Sequence, residues 1–139
     1  MFLQPKKIKF QKFFKPRKSD KIKNTNQNLE PKSTIITIAL ESGHLTGRQL
    51  EAARQSIRRK LKRKGQLRIC LLPDLGISHK ASSSRIGKGK GKVELWIGRV
   101  NPGKPIFILA GIPKKEGKEA LKNGSNKLPI KTKIVYNSF

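Results

Sequence analysis

The segment from Thr46 to Lys64 reads as a helix whose two faces make opposite demands. Thr46-Gly47-Arg48-Gln49 has the spacing of a capping box, a threonine that accepts from the N–H three residues on and a glutamine that reaches back. Leu50, Ala53, Ile57 and Leu61 recur at helical spacing as one apolar stripe. Gly65 stands where a left-handed residue would stop the helix. Arg48, Arg54, Arg58, Arg59, Lys60, Lys62, Arg63 and Lys64 occupy most of the remaining surface, opposed only by Glu51. The stripe has to be covered by other elements of the chain. Cations near a helix C-terminus suit its dipole, which accounts for Lys62 to Lys64 but not for all eight. An ordinary solvated face mixes signs, so this one is read as contacting RNA or DNA phosphates.

The covering elements are strands. Ser33 to Leu40 is rich in isoleucine and threonine, with Ile36, Ile38 and Leu40 on one face, and Gly43 ends it. Leu67, Ile69 and Leu71 alternate as a second strand, stopped by Pro73-Asp74. Val93, Leu95 and Ile97 make a third, with Trp96 on its opposite face. Ile106 to Ala110 follows the Asn101-Pro102-Gly103-Lys104 turn. Ile130 to Tyr136 is the last strand. Lys114 to Lys127 reads as a weaker helix around Ala120 and Leu121, because Gly117 and Gly124 interrupt it and its end is expected to fray. The order implies an α+β domain over residues 33–139, a mostly antiparallel sheet with two helices packed against it. Residues 1–32 are then a basic N-terminal arm and a polar linker.

Within the domain, residues 80–92 form a basic glycine loop ending in Arg85-Ile86-Gly87-Lys88-Gly89-Lys90-Gly91-Lys92. Glycine lets a main chain approach an anion closely, while alternate lysines reach separate charges. No acid occurs from Leu75 to Val93. The competing reading is a hairpin tip whose lysines only keep it soluble. The arm carries Lys6, Lys7, Lys9, Lys12, Lys15, Arg17 and Lys18 with no acid, and Phe2, Phe10, Phe13 and Phe14 among them. Pro5 and Pro16 argue against a continuous helix. An extended arm of this kind orders on a polyanion, and its aromatics either stack on exposed bases or fold back onto the domain.

Composition narrows the partner. With 33 Lys and Arg against 8 Asp and Glu, the formal charge is +25, which calls for a polyanion and matches the footprint of a nucleic-acid binder. No apolar run approaches the roughly 20 residues of a membrane span, and no secretory signal is evident. Cys70 is alone, which leaves no intrachain disulfide or cysteine-based zinc site. With His44 and His79 the only histidines and the carboxylates scattered singly, neither a metal site nor paired acid–base chemistry is expected. Ser82 to Ser84 near His79 and Asp74 make a polar loop, not a triad, and Val93 follows Lys92 where a P-loop needs a hydroxyl. No enzyme, cofactor or small-molecule substrate is implied. Arms, loops and a basic helix pointing several ways suit a folded RNA better than a DNA groove.

Three stretches resemble one family, the bacterial-type large-ribosomal-subunit protein sixteen. They are Leu3-Gln4-Pro5-Lys6-Lys7 with Lys9-Phe10 and Lys12; Leu45-Thr46 with Arg48-Gln49-Leu50-Glu51-Ala52-Ala53-Arg54; and, most specific, Arg85 to Gly91 with Val93-Glu94 and Trp96. Pro102-Gly103-Lys104 and Lys127 to Thr132 are similar too. The resemblance implies an α/β-hammerhead-type fold on large-subunit rRNA near the peptidyl-transferase region. Its partners would be that rRNA, A-site tRNA and neighbouring ribosomal proteins, with the Arg85–Gly91 loop toward catalytic RNA and tRNA. The arm would thread into rRNA, and the helix would present Arg48, Arg54, Arg58, Arg59 and Arg63 to its phosphates. A free RNA chaperone or nucleoid-type binder is the alternative; a membrane-active cationic protein is a remoter one. Departures from the family pattern are the isoleucine- and threonine-rich Ser33–Leu40, Gly47 in place of alanine, and Gly76 and Ala81 where prolines are expected, which should loosen that connection. With the lysine, asparagine and isoleucine bias, they lean toward an organelle-encoded member, mitochondrial rather than plastid, with the bacterial cytoplasm as the alternative.

Overall fold

The computed structural model describes residues 5, 7–14, 34–87 and 89–137. Their elements are β1 (Thr34–Ala39), β2 (Gly43–Thr46), α1 (Gly47–Lys60), β3 (Gln66–Ile69), β4 (Leu75–His79), β5 (Lys92–Val100), β6 (Pro105–Ala110), α2 (Lys114–Ser125) and β7 (Thr132–Asn137). The α+β class is as expected, but the strands divide into two sheets, ordered β3-β6-β1-β7 and β2-β5-β4. Every pairing is antiparallel.

Thr46 opens α1 as its sequence implies: Gln49 N–H donates to Thr46 Oγ1 at 3.3 Å, and Thr46 N–H donates to Gln49 Oε1 at 2.9 Å. Gly47 is the first helical residue, so its poor interior propensity is not drawn on. The helix ends at Lys60, not Lys64. Lys62 N–H donates to the Arg59 carbonyl and Arg63 N–H to the Arg58 carbonyl, each at 3.3 Å, the two bonds of a Schellman motif. Lys62 takes the left-handed position at φ 48°, Arg63 follows at 66°, and Gly65 (φ 68°) comes only afterwards.

Leu50, Ala53, Ile57 and Leu61 enter one core with Ile35, Leu45, Val100, Phe107, Leu109 and Leu121. The β1 face directed into this core carries Ile35 and Ala39, whereas Leu40 is half exposed. The expected Ile36-Ile38-Leu40 face is therefore the opposite one, and both faces of β1 are largely buried. Polarity alternation is a poor guide to a strand covered on both sides.

Two strands escape the sequence pattern. Gly43 begins β2 instead of only ending β1, and the position is closed to a side chain: a Cβ would lie 2.6 Å from Ile130 Cγ2. β4 lies between Pro73-Asp74 and the glycine loop, a stretch to which the sequence reading assigns no element. Gly76, expected to loosen this connection, is buried within β4 and paired with Trp96. The second helix is continuous across Gly117 and Gly124, which are both buried. Those glycines are points of close approach to β1 and α1.

Candidate nucleic-acid interface

Cations on α1 divide by what already holds them. Arg54 is committed to Glu51, its Nε donating to Oε2 at 2.8 Å and its NH2 to Oε1 at 2.6 Å. Lys60 pairs with Glu119 of α2 at 3.2 Å. Arg58 donates to the Gly65 carbonyl at 3.0 Å, closing the turn after the helix. Arg48, Arg59 and Arg63 are exposed and form no ion pair among the described residues. Arg48 and Arg59 lie eleven residues apart, within about 20° of the same face, which is opposite the Leu50–Leu61 stripe. The outward cationic surface of α1 is thus Arg48 and Arg59 along the barrel, with Lys62, Arg63 and Lys64 at its end.

The Arg54 hydrogen bonds hold the Glu51 carboxyl down to about 2, against a usual value of 4.5. A carboxylate pKa depressed by folding stabilises the native state above the unfolded pKa, and that stability is lost as pH falls through the folded one. Acid titration should therefore show a stability loss between about pH 4.5 and pH 2. Glu51→Gln should flatten this segment of the stability–pH curve, measured by denaturant unfolding at successive pH values; an unchanged slope would mean that the pair does not stabilise the fold.

The glycine loop sits at the tip of the β4–β5 hairpin. Residues 81–87 are all exposed, and Ile86 is fully so. Ser84 N–H donates to the Ala81 carbonyl at 3.0 Å, making a turn on one leg. Gly87 and Gly89 take left-handed angles, φ 99° and 71°, with open space where a Cβ would stand. Gly91 differs: a Cβ there would overlap the His79 carbonyl oxygen on the opposite leg. Lys80 Nζ donates to the Gly87 carbonyl and ties the loop across itself, a contact that nothing in the sequence pattern announces. Lys92 and Arg85 are exposed, Lys90 is half-buried, and Lys88 lies outside the described residues.

The arm comes to the same place. Residues 7–14 carry no helix or strand, and Phe10 and Phe14 are exposed by 68% and 85% instead of folding into the core. Lys12 Nζ donates to the Lys90 carbonyl at 3.1 Å. Lys90 Nζ in turn lies 3.5 Å from the centroid of the Phe14 ring. Gln11 crosses close to β4, its carbonyl oxygen 2.6 Å from where a Gly76 Cβ would stand. Between arm and sheet is a cleft of about 440 Å³ lined by Pro5, Lys7, Ile8, Lys9, Gln11 and Trp96. Lys6, Lys15 and Arg17 lie outside the described residues. Arm and loop, 78 residues apart at the Lys12–Lys90 contact, thus meet at the end of the β4–β5 hairpin. The α1 cations are on a separate element.

Among the described residues, no group of three His, Cys, Asp or Glu side chains could hold a metal ion, and no helix is long and apolar enough to cross a membrane. Residues 5–135 match the family model described as ribosomal protein L16p/L10e. A relative from Erythrobacter litoralis (strain HTCC2594), named large ribosomal subunit protein uL16, is 45% identical over 134 residues, 96% of this chain and 91% of its own length. A protein of the same name from Buchnera aphidicola subsp. Acyrthosiphon pisum (strain Tuc7) is 42% identical over 133 residues, covering 96% of each chain. A match spanning both the arm and the hairpin loop settles the assignment: the chain belongs to the ribosomal protein L16p/L10e family and is a structural, non-catalytic constituent of the large ribosomal subunit.

Proposed function

We propose that the chain binds large-subunit rRNA near the peptidyl-transferase region and helps position A-site tRNA, with the Arg85–Gly91 loop as its innermost element. The observation that carries this reading is the loop itself: an exposed hairpin tip with no acid from Leu75 to Val93, tied internally by Lys80 and buttressed by the arm. Its cations have no carboxylate to neutralise them within that span, so an external anion completes the site. The arm and the Arg48–Arg59 face of α1 are the rRNA-anchoring elements in this reading. Arg54 and Arg58, already bonded to Glu51 and to the Gly65 carbonyl, mainly shape the helix surface.

Ribosomes carrying Lys88→Ala with Lys90→Ala are expected to incorporate the protein and to accommodate A-site tRNA more slowly. In RNA binding, each lost phosphate contact should reduce the salt slope by about 1. Accommodation at the unmodified rate, measured by pre-steady-state kinetics, would reject the tRNA assignment while leaving the subunit assignment intact. The lysine, asparagine and isoleucine bias supports an organellar home for the chain, tested by cell fractionation; the relatives compared are bacterial.

A further inference from the structure

We propose that the cleft between the arm and β5 is a seat for one unpaired nucleobase of an RNA strand. This rests on the RNA-binding reading above but asks for something that phosphate contact alone does not. The cleft depends on one glycine, Gly76. Gly76 pairs with Trp96 across β4 and β5, and a side chain at 76 would collide with the Gln11 carbonyl at 2.6 Å and with Val93 Cγ1 at 3.0 Å. The arm main chain can therefore descend onto the sheet beside Trp96 instead of being held off it. Lys12 bonded to the Lys90 carbonyl and Phe14 under the Lys90 ammonium hold the arm there.

The lining has two chemistries. Trp96, Ile8 and Pro5 supply an aromatic ring and aliphatic walls; Lys7 and Lys9, both exposed, supply positive charge at the rim. At about 440 Å³, the space is within the range of small-ligand pockets. A flat heteroaromatic flanked by phosphates satisfies both parts, since every base has a face that stacks on an aromatic side chain. An apolar side chain from a neighbouring protein would fill the cleft but bring no anion to Lys7 and Lys9, the latter lying 5.8 Å from the Phe10 ring centroid. Residues 1–18 contain no acid to answer them from within the arm.

Trp96 is the only tryptophan in the chain, so its emission reports directly on the cleft. The full-length protein is titrated with hexa-adenylate and with an abasic hexamer carrying the same phosphates, while anisotropy of end-labelled copies measures binding separately. The expected result is quenching of Trp96 by hexa-adenylate only, with affinity about tenfold above that of the abasic chain. Trp96→Leu should lose that tenfold advantage, and Trp96→Phe should keep most of it. Equal quenching by both chains, or binding of both with unchanged emission, would overturn the base seat and leave RNA binding standing. Failure of both chains to bind at low salt would overturn the RNA-contact reading as well. The titration of the unmodified protein decides the matter even if Trp96→Leu does not fold.

Discussion

Replacing Gly124 by valine should lower the stability of the domain by about 2–3 kcal/mol and its thermal midpoint by about 10–20 °C. A methyl at 124 would stand 2.5 Å from Ile57 Cγ1, 2.6 Å from Ile57 Cδ1 and 3.4 Å from the Ala53 carbonyl. Ile57 is fully buried in the core and cannot swing toward solvent. The helix preference gained is smaller, a few tenths of a kcal/mol because valine is β-branched and itself a weak helix former, so overpacking decides the sign. Asn123→Ala, one residue away on the exposed side, should change stability by less than about 0.5 kcal/mol. Thermal melts followed by circular dichroism test the pair. Equal midpoints for the two variants would mean that α1 and α2 can separate without loss, contrary to the packing described.

Gly91→Ala should open the root of the glycine loop. Its added methyl would overlap the His79 carbonyl oxygen and stand 2.7 Å from the carbon of that carbonyl. These are main-chain atoms of the facing leg, and no change of rotamer moves them. The His79–Lys92 end of the β4–β5 ladder must spread, and the Lys12–Lys90 contact should go with it. A local cost of about 2–3 kcal/mol raises amide exchange at the hairpin end by roughly 30- to 150-fold. Gly89→Ala meets only open space and the strain of a left-handed angle, about 1–2 kcal/mol. Its effect should stay within the loop. Hydrogen exchange read by mass spectrometry distinguishes them, and unchanged protection at β4 and β5 in Gly91→Ala would refute the spreading.

Local chemistry was the legible part. The capping box at Thr46, the α1 stripe and the α+β class could be read because each depends on residues a few positions apart. β2 was hidden because its four residues run directly into the α1 cap. β4 was hidden by Gly76, whose need for space comes from Gln11, 65 positions earlier in the sequence. Gly117 and Gly124 read as weaknesses for the same reason: propensity treats a helix alone, whereas both glycines answer to side chains on other elements. At the candidate site, the cations were evident and their division was not. That Arg54 serves Glu51, Arg58 a carbonyl and Lys60 the neighbouring helix depends on geometry. So does the meeting of arm and loop.

That meeting also orders events during synthesis. Lys12 leaves the translating ribosome 78 residues ahead of the carbonyl it will hold. At ordinary elongation rates of about 5–20 residues per second, the interval is about 4–16 s. For that time the arm around Lys12 lacks the carbonyl that will hold it, and it settles only when the hairpin has been made.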